Sequence, residues 1–447
     1  MSARSVSARP TILVLGAAGL IGEATARHLA AAGFPVVAAA RRLSAAQRLA
    51  FGSSARIVPL VDLDAPALAQ LLTDTSADLV VNCIGVLQDG GGSSTGDVHA
   101  GFVSRLLEAI AAQPRPVLLV HLSVPGRPEE DGTAFSRTKR EAERRIEAAS
   151  IPFVILRPGF VIGDAAFGGS ALMRALATLP IALPAGLAAR PFAATRMADI
   201  GSGIAHLATR WADGERRQRA TFDVMEATPS DVGDVLAAFR ARFGGVKPRF
   251  VLPSWLLALG SRAGDAAALL GWRPPIRTTA LREMQRGVAG DPGPWMRETG
   301  LVPPDIRRIV ADLPATVQER WFARLYLLKA AILGGLSLFW IVSGAVALWP
   351  AFDAATGILV AQGVPRPLAA AITAVTSLAD ITIGLAIATR RWSGAGLKAG
   401  IALTLGYMAG AVVLTPTLWL DPLGAMVKTV PALILMLVAL ALLDDRG

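Results

Sequence analysis

Beyond about Leu325 the chain almost stops carrying charge, and this limits its fold more than any other feature. Four apolar stretches follow one another, at roughly 327–349, 367–389, 397–415 and 424–443. Each holds about 19 to 23 residues, enough to cross a hydrocarbon core of about 30 Å as a helix. The last glutamate is Glu319, and five aspartates are the only acids after it. Arg320, Arg324 and Lys329 precede the first stretch, Arg390, Arg391 and Lys398 lie between the second and third, and Arg446 follows the fourth. The alternate connections carry Arg366 and Lys428. Positive charge stays on the cytoplasmic side, so both termini and everything before Leu325 are expected there. Trp349, Trp392 and Trp419 fall near the ends of stretches, where indole rings favour the interface. The expected unit at 325–447 is an all-α bundle of four transmembrane helices, with the lipid bilayer as its partner. Asp380 breaks the apolar pattern near mid-membrane, where an acid needs a partner, a proton or a place facing the bundle. Tyr407 lies at similar depth and could supply a hydroxyl, either for an interhelical hydrogen bond or as part of a site inside the bundle.

The opposite end of the chain has a different signature. A strand-like run, Thr11 to Leu15, ends at Gly16, and Gly19 and Gly22 follow at three-residue spacing before a helix to Ala32. A tight turn between a buried strand and a helix N-terminus offers bare amides and a positive dipole end to a pyrophosphate. Gly16 permits the turn, Gly19 admits a phosphate to the backbone, and Gly22 lets helix and strand pack closely. Gly16, Ala18, Gly19, Leu20, Ile21 and Gly22 are therefore expected to seat a dinucleotide. A second strand, Pro35 to Ala40, ends in Arg41-Arg42, about 20 residues past the turn, where the residue reading the adenosine ribose belongs. Two arginines there would pair with a 2′-phosphate, which favours NADP(H) and leaves NAD(H) open.

Strand-like runs recur at 56–61, 78–83, 117–122 and 153–156, with helix-like segments at 65–73, 98–112 and 136–149 between them. This alternation predicts an α/β doubly wound parallel sheet, a Rossmann core over 11–158. Ligands of such sheets bind beyond the carboxyl ends of the strands. Asp62-Leu63, Asn82-Cys83-Ile84-Gly85, Ser123 and Arg157-Pro158-Gly159 all follow strand ends. A smaller substrate lobe is expected over 159–290 and a juxtamembrane linker over 291–324. Within the lobe, Asp199 is expected to cap a helix or position the lobe. The apolar stretches 171–189 and 253–270 hold prolines or charges that argue against further spans; they could form lobe core, line a cleft or rest on the membrane. One cysteine excludes an internal disulfide, and four scattered histidines lack metal-ligand spacing, so no metal is expected. The net charge of +10 comes with no basic helix or aromatic-interleaved patch, which excludes nucleic acid as the expected partner. The first ten residues lack an apolar h-region and do not read as a signal peptide.

The glycine turn, Asp62-Leu63, Asn82-x-x-Gly85, Ser123, Lys139 and Arg157-Pro158-Gly159 together resemble a short-chain dehydrogenase/reductase. The likeness is to the atypical or extended, epimerase-like branch that includes the NADPH-binding accessory subunit of respiratory complex I, and it covers about 11–290. It implies that Asp62 contacts adenine, that Asn82 to Gly85 line the cofactor cleft, and that Arg157 to Gly159, Pro158 included, shape the nicotinamide end. From 315 onward the chain resembles a DoxX-like four-helix membrane domain, a combination familiar from bacteria, which implies a multi-pass protein of the bacterial inner membrane. In the dehydrogenase family a Tyr-x-x-x-Lys pair does the acid–base work. Here the segment reads Phe135-Ser136-Arg137-Thr138-Lys139, so the lysine is present and the phenol is not. The only tyrosines, Tyr326 and Tyr407, lie in the membrane half.

Two functions are therefore mainly expected, and a third, a transporter with a nucleotide-sensing domain, rests on Asp380 alone. One is a membrane-anchored NAD(P)(H)-dependent oxidoreductase acting on a lipid-soluble carbonyl or quinone-like molecule, with Ser123, Lys139 and Phe135 at the reacting end. The proton would then come from Ser123, a water held by Lys139, or His121. The other is a cofactor-binding subunit without turnover that senses redox state or stabilises a membrane complex. A membrane-complex partner or a second copy of the chain is compatible with either.

Overall fold

The computed structural model describes residues 9–87, 95–420, 422, 424 and 426–443. Arg446 lies outside them. The chain divides into two units, one made of 1–265 and 275–323, the other of 266–274 and 324–447.

The first unit is built on strands β1 (Ile12–Leu15), β2 (Val36–Ala40), β3 (Ala55–Ile57), β4 (Leu79–Asn82), β5 (Leu118–Leu122) and β6 (Phe153–Pro158). Three short strands follow, β7 (Phe160–Ile162), β8 (Ile181–Ala182) and β9 (Ala194–Arg196), then β10 (Arg219–Val224) and β11 (Phe250–Val251). Seven of them form one parallel sheet in the order β3-β2-β1-β4-β5-β6-β10. This is the doubly wound order, and its direction reverses between β1 and β4, where ligands of such sheets bind. Every residue of β1, β4 and β5 is buried. Helices cover both faces of the sheet, so these strands are largely apolar, with Asn82 and His121 the polar exceptions. One face packs Leu29, Ile200 and Ile204; the other packs Leu68, Phe102, Leu106 and Ile146.

The stretch expected to form the lobe is shared more widely. Its β10 joins the main sheet beside β6, with Phe222 and Val224 turned into the core. Its helix Met197–Ala212 packs along the glycine-turn helix Leu20–Ala31, where Gly201 meets the His28 ring with no room for a Cβ. The stretch expected as a linker, 291–324, is folded structure of the first unit up to Ala323 instead. Trp295 is fully buried against Gly203, and Ile306, Ile309 and Val310 are buried on a helix capped by Asp305. One large indole in a glycine notch gives this short segment a place in the core.

Toward the C-terminus, Val317–Leu348, which enters the second unit at Arg324, and Arg366–Ala388 and Ser393–Val413 within it are long and apolar enough to cross a membrane. The fourth stretch is helical only over Thr429–Ala441, 13 residues. That is about 20 Å, short of the hydrocarbon thickness. Gly424, at φ 64°, and a turn over 426–428 precede it. An extra helix, Phe352–Val360, separates the first two long ones. Small residues set the contacts: Gly344 lies against Ser377 and Asp380, Gly384 against Ser337 and Ile341, and the Ser337 hydroxyl donates to the Gly384 carbonyl at 2.8 Å. Close approach through glycine and serine is the usual way apolar helices associate in lipid. Tyr407 Oη donates to Asp380 Oδ1 at 2.8 Å, giving the acid the partner its position requires.

Candidate functional site

The site begins at the end of β1. Gly16 turns the chain at φ 81°, and a Cβ there would press on the backbone of Cys83 and Ile84 at 3.2 Å. The Gly16 and Ala17 amides donate to the Ala39 carbonyl, binding the turn to β2. A Cβ on Gly22 would come within 2.3 Å of the Gly16 carbonyl oxygen, so this position must stay bare for the helix to start so close to the strand. The helix Leu20–Ala31 begins at Gly19 with no side-chain cap. The amides of Leu20, Ile21 and Gly22 therefore face the turn as donors, and the exposed Gly19 leaves a path to them.

Strand register sets what surrounds this turn. Leu15 pairs with Ala39 on one side and Asn82 on the other. That brings Arg41 and Arg42, both exposed, to one flank and Asn82 to Gly85 to the other. Gln47 reaches from the next helix to the Ala18 carbonyl at 3.4 Å and to Glu23 at 2.6 Å. Asp62 is exposed on the turn after β3, and Arg105 fixes that turn by donating to the carbonyls of Val61 and Leu63.

Asn82 shapes the floor of the cleft. Its Oδ1 accepts from the Ile84 amide at 3.0 Å, so its Nδ2 donates to His121 Nδ1 at 3.1 Å. His121 then carries its proton on Nε2, which has no acceptor among the described residues. Burial pushes the imidazole well below its usual pKa, so His121 is a neutral ring that orients Asn82. Burial likewise pushes the Cys83 thiol up to about 12.

The helix Ala134–Ala148 brings in the other half of the site, capped by Thr133, whose Oγ1 accepts from the Ser136 amide at 3.1 Å. Phe135 and Lys139, four residues apart, share one face of it. Lys139 is buried; its Nζ donates to the Leu122 carbonyl at 2.9 Å and to Ile84 O at 3.3 Å. Burial lowers its pKa to about 8. A Cβ on Gly85 would sit 3.3 Å from Nζ, so this glycine keeps the lysine accessible along the cleft. Ser123, at the end of β5, is buried with no partner for its Oγ among the described residues.

His99 also belongs to this site, although its sequence position gave no hint of it. Its Nε2 accepts from the Val86 amide at 3.1 Å, so Nδ1 holds the proton and donates to Thr138 Oγ1 at 2.8 Å. Thr138 in turn donates to the Ala134 carbonyl. The Phe135 ring meets His99 edge to face, centroids 5.7 Å apart, so the phenylalanine packs against a fixed imidazole.

A buried ionic network holds the helix from behind. Glu143 takes a two-pronged contact from Arg157, at 2.8 and 2.6 Å, and another from Arg140 at 2.6 Å. Asp131 bridges Arg140 and Arg286, both at 3.2 Å. Arg157, expected at the nicotinamide end, thus spends its guanidinium on Glu143. Pro158 ends β6, and the Gly159 amide donates to Thr195 at 2.8 Å. Asp199 is not a cap; it pairs with Arg196 at 2.6 Å, and burial raises its pKa. A cleft of about 380 Å³ opens beside the capped helix start, lined by Glu130, Thr133, Arg190, Glu283 and Arg286 among others.

Residues 12–179 match the profile of the NAD dependent epimerase/dehydratase family, and residues 337–437 that of the DoxX-like family. The chain thus joins an epimerase/dehydratase-type domain to a DoxX-like domain. It is 30% identical over 212 residues to a dTDP-6-deoxy-L-talose 4-dehydrogenase (NAD(P)(+)) of Kitasatospora kifunensis, covering 41% of this chain and 64% of that protein's length. Among solved structures it is similar to gox2253, with a TM-score of 0.51 at 15% identity over 72% of this chain and 98% of that one. Pal from Bacillus thuringiensis gives a TM-score of 0.50 at 14% identity, over 70% and 99% of the two chains. WbmG of Bordetella bronchiseptica, solved in complex with NAD, gives 0.50 at 14%, over 68% and 93%. At such identities the structures speak for the fold.

Proposed function

We propose that the first unit binds a nicotinamide dinucleotide and serves as an oxidoreductase of the short-chain dehydrogenase type, moored to a bilayer by the second unit. The observation that carries this reading is the uncapped helix start behind Gly16, Gly19 and Gly22, opening on the same cleft as Lys139 and the unpartnered Ser123 hydroxyl. The residues fit such a cofactor. The amides of Leu20, Ile21 and Gly22 suit its diphosphate, Arg41 and Arg42 suit a 2′-phosphate, Asp62 and Leu63 suit the adenine, and Asn82 to Gly85 and Pro158 line the run to the nicotinamide. NADP(H) is favoured on the two arginines. When bound, the cofactor supplies or accepts a hydride.

Lys139 would hold the ribose hydroxyls, and Ser123 would hydrogen-bond the substrate oxygen. Phe135 offers no proton, so one passes through Ser123 or a water held by Lys139. His121 is ill suited to this, being neutral and bound to Asn82. The mooring points to a lipid-soluble carbonyl or quinone-like substrate, because confinement to the bilayer raises its effective concentration at the site. The charge pattern of the connecting segments supports a cytoplasmic first unit in a bacterial inner membrane. Phe135 itself favours a second reading, a dinucleotide-binding subunit without turnover. Steady oxidation of NADPH by the purified protein with a panel of quinones and lipid ketones distinguishes them: turnover supports the enzyme, and tight binding without turnover supports the subunit.

A further inference from the structure

We infer that the helix Ser254–Leu269 is a second membrane-contacting element, lying in the lipid interface with its outer face in the acyl-chain boundary. A helix on a protein surface normally turns apolar residues inward and polar residues out. This one leaves its largest apolar side chains exposed. Its inner side presents Leu257, Ser261 and Gly264, the last pressed against the Ile276 carbonyl. Its outer side carries Trp255, Leu259, Ala263 and Ala266 at helical spacing, all exposed, and Leu270 continues the stripe just past the helix end. Trp255 is 67% exposed and Leu259 53%. Phe250 and Val251, on the strand just before, are 66% and 63% exposed. An apolar surface of this kind marks a binding face.

Two observations identify its occupant as lipid. First, residues 266–274 belong to the second unit. There Trp272 Nε1 donates to the Ala388 carbonyl at 2.6 Å, the Arg390 amide donates to Leu270 O at 2.9 Å, and the Arg390 guanidinium lies over the Trp272 ring at 5.3 Å. Leu270 and Trp272, just past the helix, are therefore held at the basic terminus of the span Arg366–Ala388, where Arg390, Arg391 and Trp392 mark the interfacial level. Second, the charges suit anionic headgroups. Lys247, Arg249, Arg262, Arg273 and Arg277 flank the stripe, and the one acid between them, Asp265, pairs with Arg277 at 2.9 Å. Basic residues around an exposed aromatic and aliphatic face describe an interfacial helix, which buries about 5–10 Å into the headgroup boundary.

The test uses the full-length chain with Cys83→Ala, carrying Trp255→Cys, Leu259→Cys or Ala266→Cys, labelled with an environment-sensitive fluorophore. Each is reconstituted in bilayers of mixed phosphatidylcholine and phosphatidylglycerol. Leu49→Cys, at a position 87% exposed on another helix, is the aqueous control. At the three stripe positions nitroxide-bearing lipid should quench several-fold more strongly than aqueous iodide, with the order reversed at position 49. Iodide quenching equal to the control overturns the inference. So does protection from both quenchers, which means that protein, a second copy included, covers the face. These exposed positions tolerate substitution, and the readout needs neither cofactor nor turnover, so failure here is separable from failure of the proposed function.

Discussion

Phe135 is the residue on which the proposed chemistry turns. Positioned acid–base groups contribute about 10²- to 10⁴-fold to a rate. Phe135→Tyr is expected to raise kcat by a factor in that range while leaving the dissociation constant for the dinucleotide unchanged. Stopped-flow measurement of NADPH oxidation checks both quantities, and an unchanged rate would place the proton route elsewhere. Lys139 supplies a pH signature. Its proton leaves at about 8, so its positive charge is present below that pH and lost above it. kcat/KM, which reports the free protein, is therefore expected to fall on the alkaline side with an apparent pKa of about 8. Cys83, pushed up to about 12, and His121, pushed well down, do not titrate there. A profile flat to pH 9.5 would contradict the role given to Lys139.

At the scale of elements, the long periodic signals were legible. The buried strands β1, β4 and β5 read as largely apolar runs because helices cover both sheet faces, and the tight strand-to-helix turn is legible because each of its glycines answers a backbone contact. The weaker pieces did not. β10 is Arg-Ala-Thr-Phe-Asp-Val, too polar at alternate positions to announce a sheet-core strand. The segment 291–324 owes its place to Trp295 in the Gly203 notch, a contact across the chain that no local pattern encodes. His99 was invisible because its role depends on the Val86 amide and Thr138, brought together by folding. Glu226 owes its role to the same kind of long-range contact. Buried, it accepts from the amides of Ala194, Ser230 and Ile306 at 2.8, 3.2 and 2.9 Å, and so joins three separate segments. Glu226→Ala leaves buried donors unpaired, at about 1–3 kcal/mol for each. It is expected to lower the melting temperature of the detergent-solubilised protein by about 5 °C or more. Glu141→Ala, which removes only exposed pairs with Arg144 and Arg145, should change it little. Equal melting temperatures for the two variants would contradict the role of Glu226.

For the whole molecule, the chain brings together a doubly wound parallel sheet and an apolar helical unit, and the proposed chemistry requires the first unit to hold a dinucleotide. The Asp380–Tyr407 hydrogen bond gives the second unit an internal polar tie, while the site residues all lie in the first. The most direct measurement is calorimetric titration of the purified full-length protein with NADPH and NADH, beside Gly22→Ala. Saturable binding, tighter for NADPH and abolished by the added methyl group, is the predicted result. No binding of either dinucleotide, or binding that survives Gly22→Ala unchanged, would contradict the account.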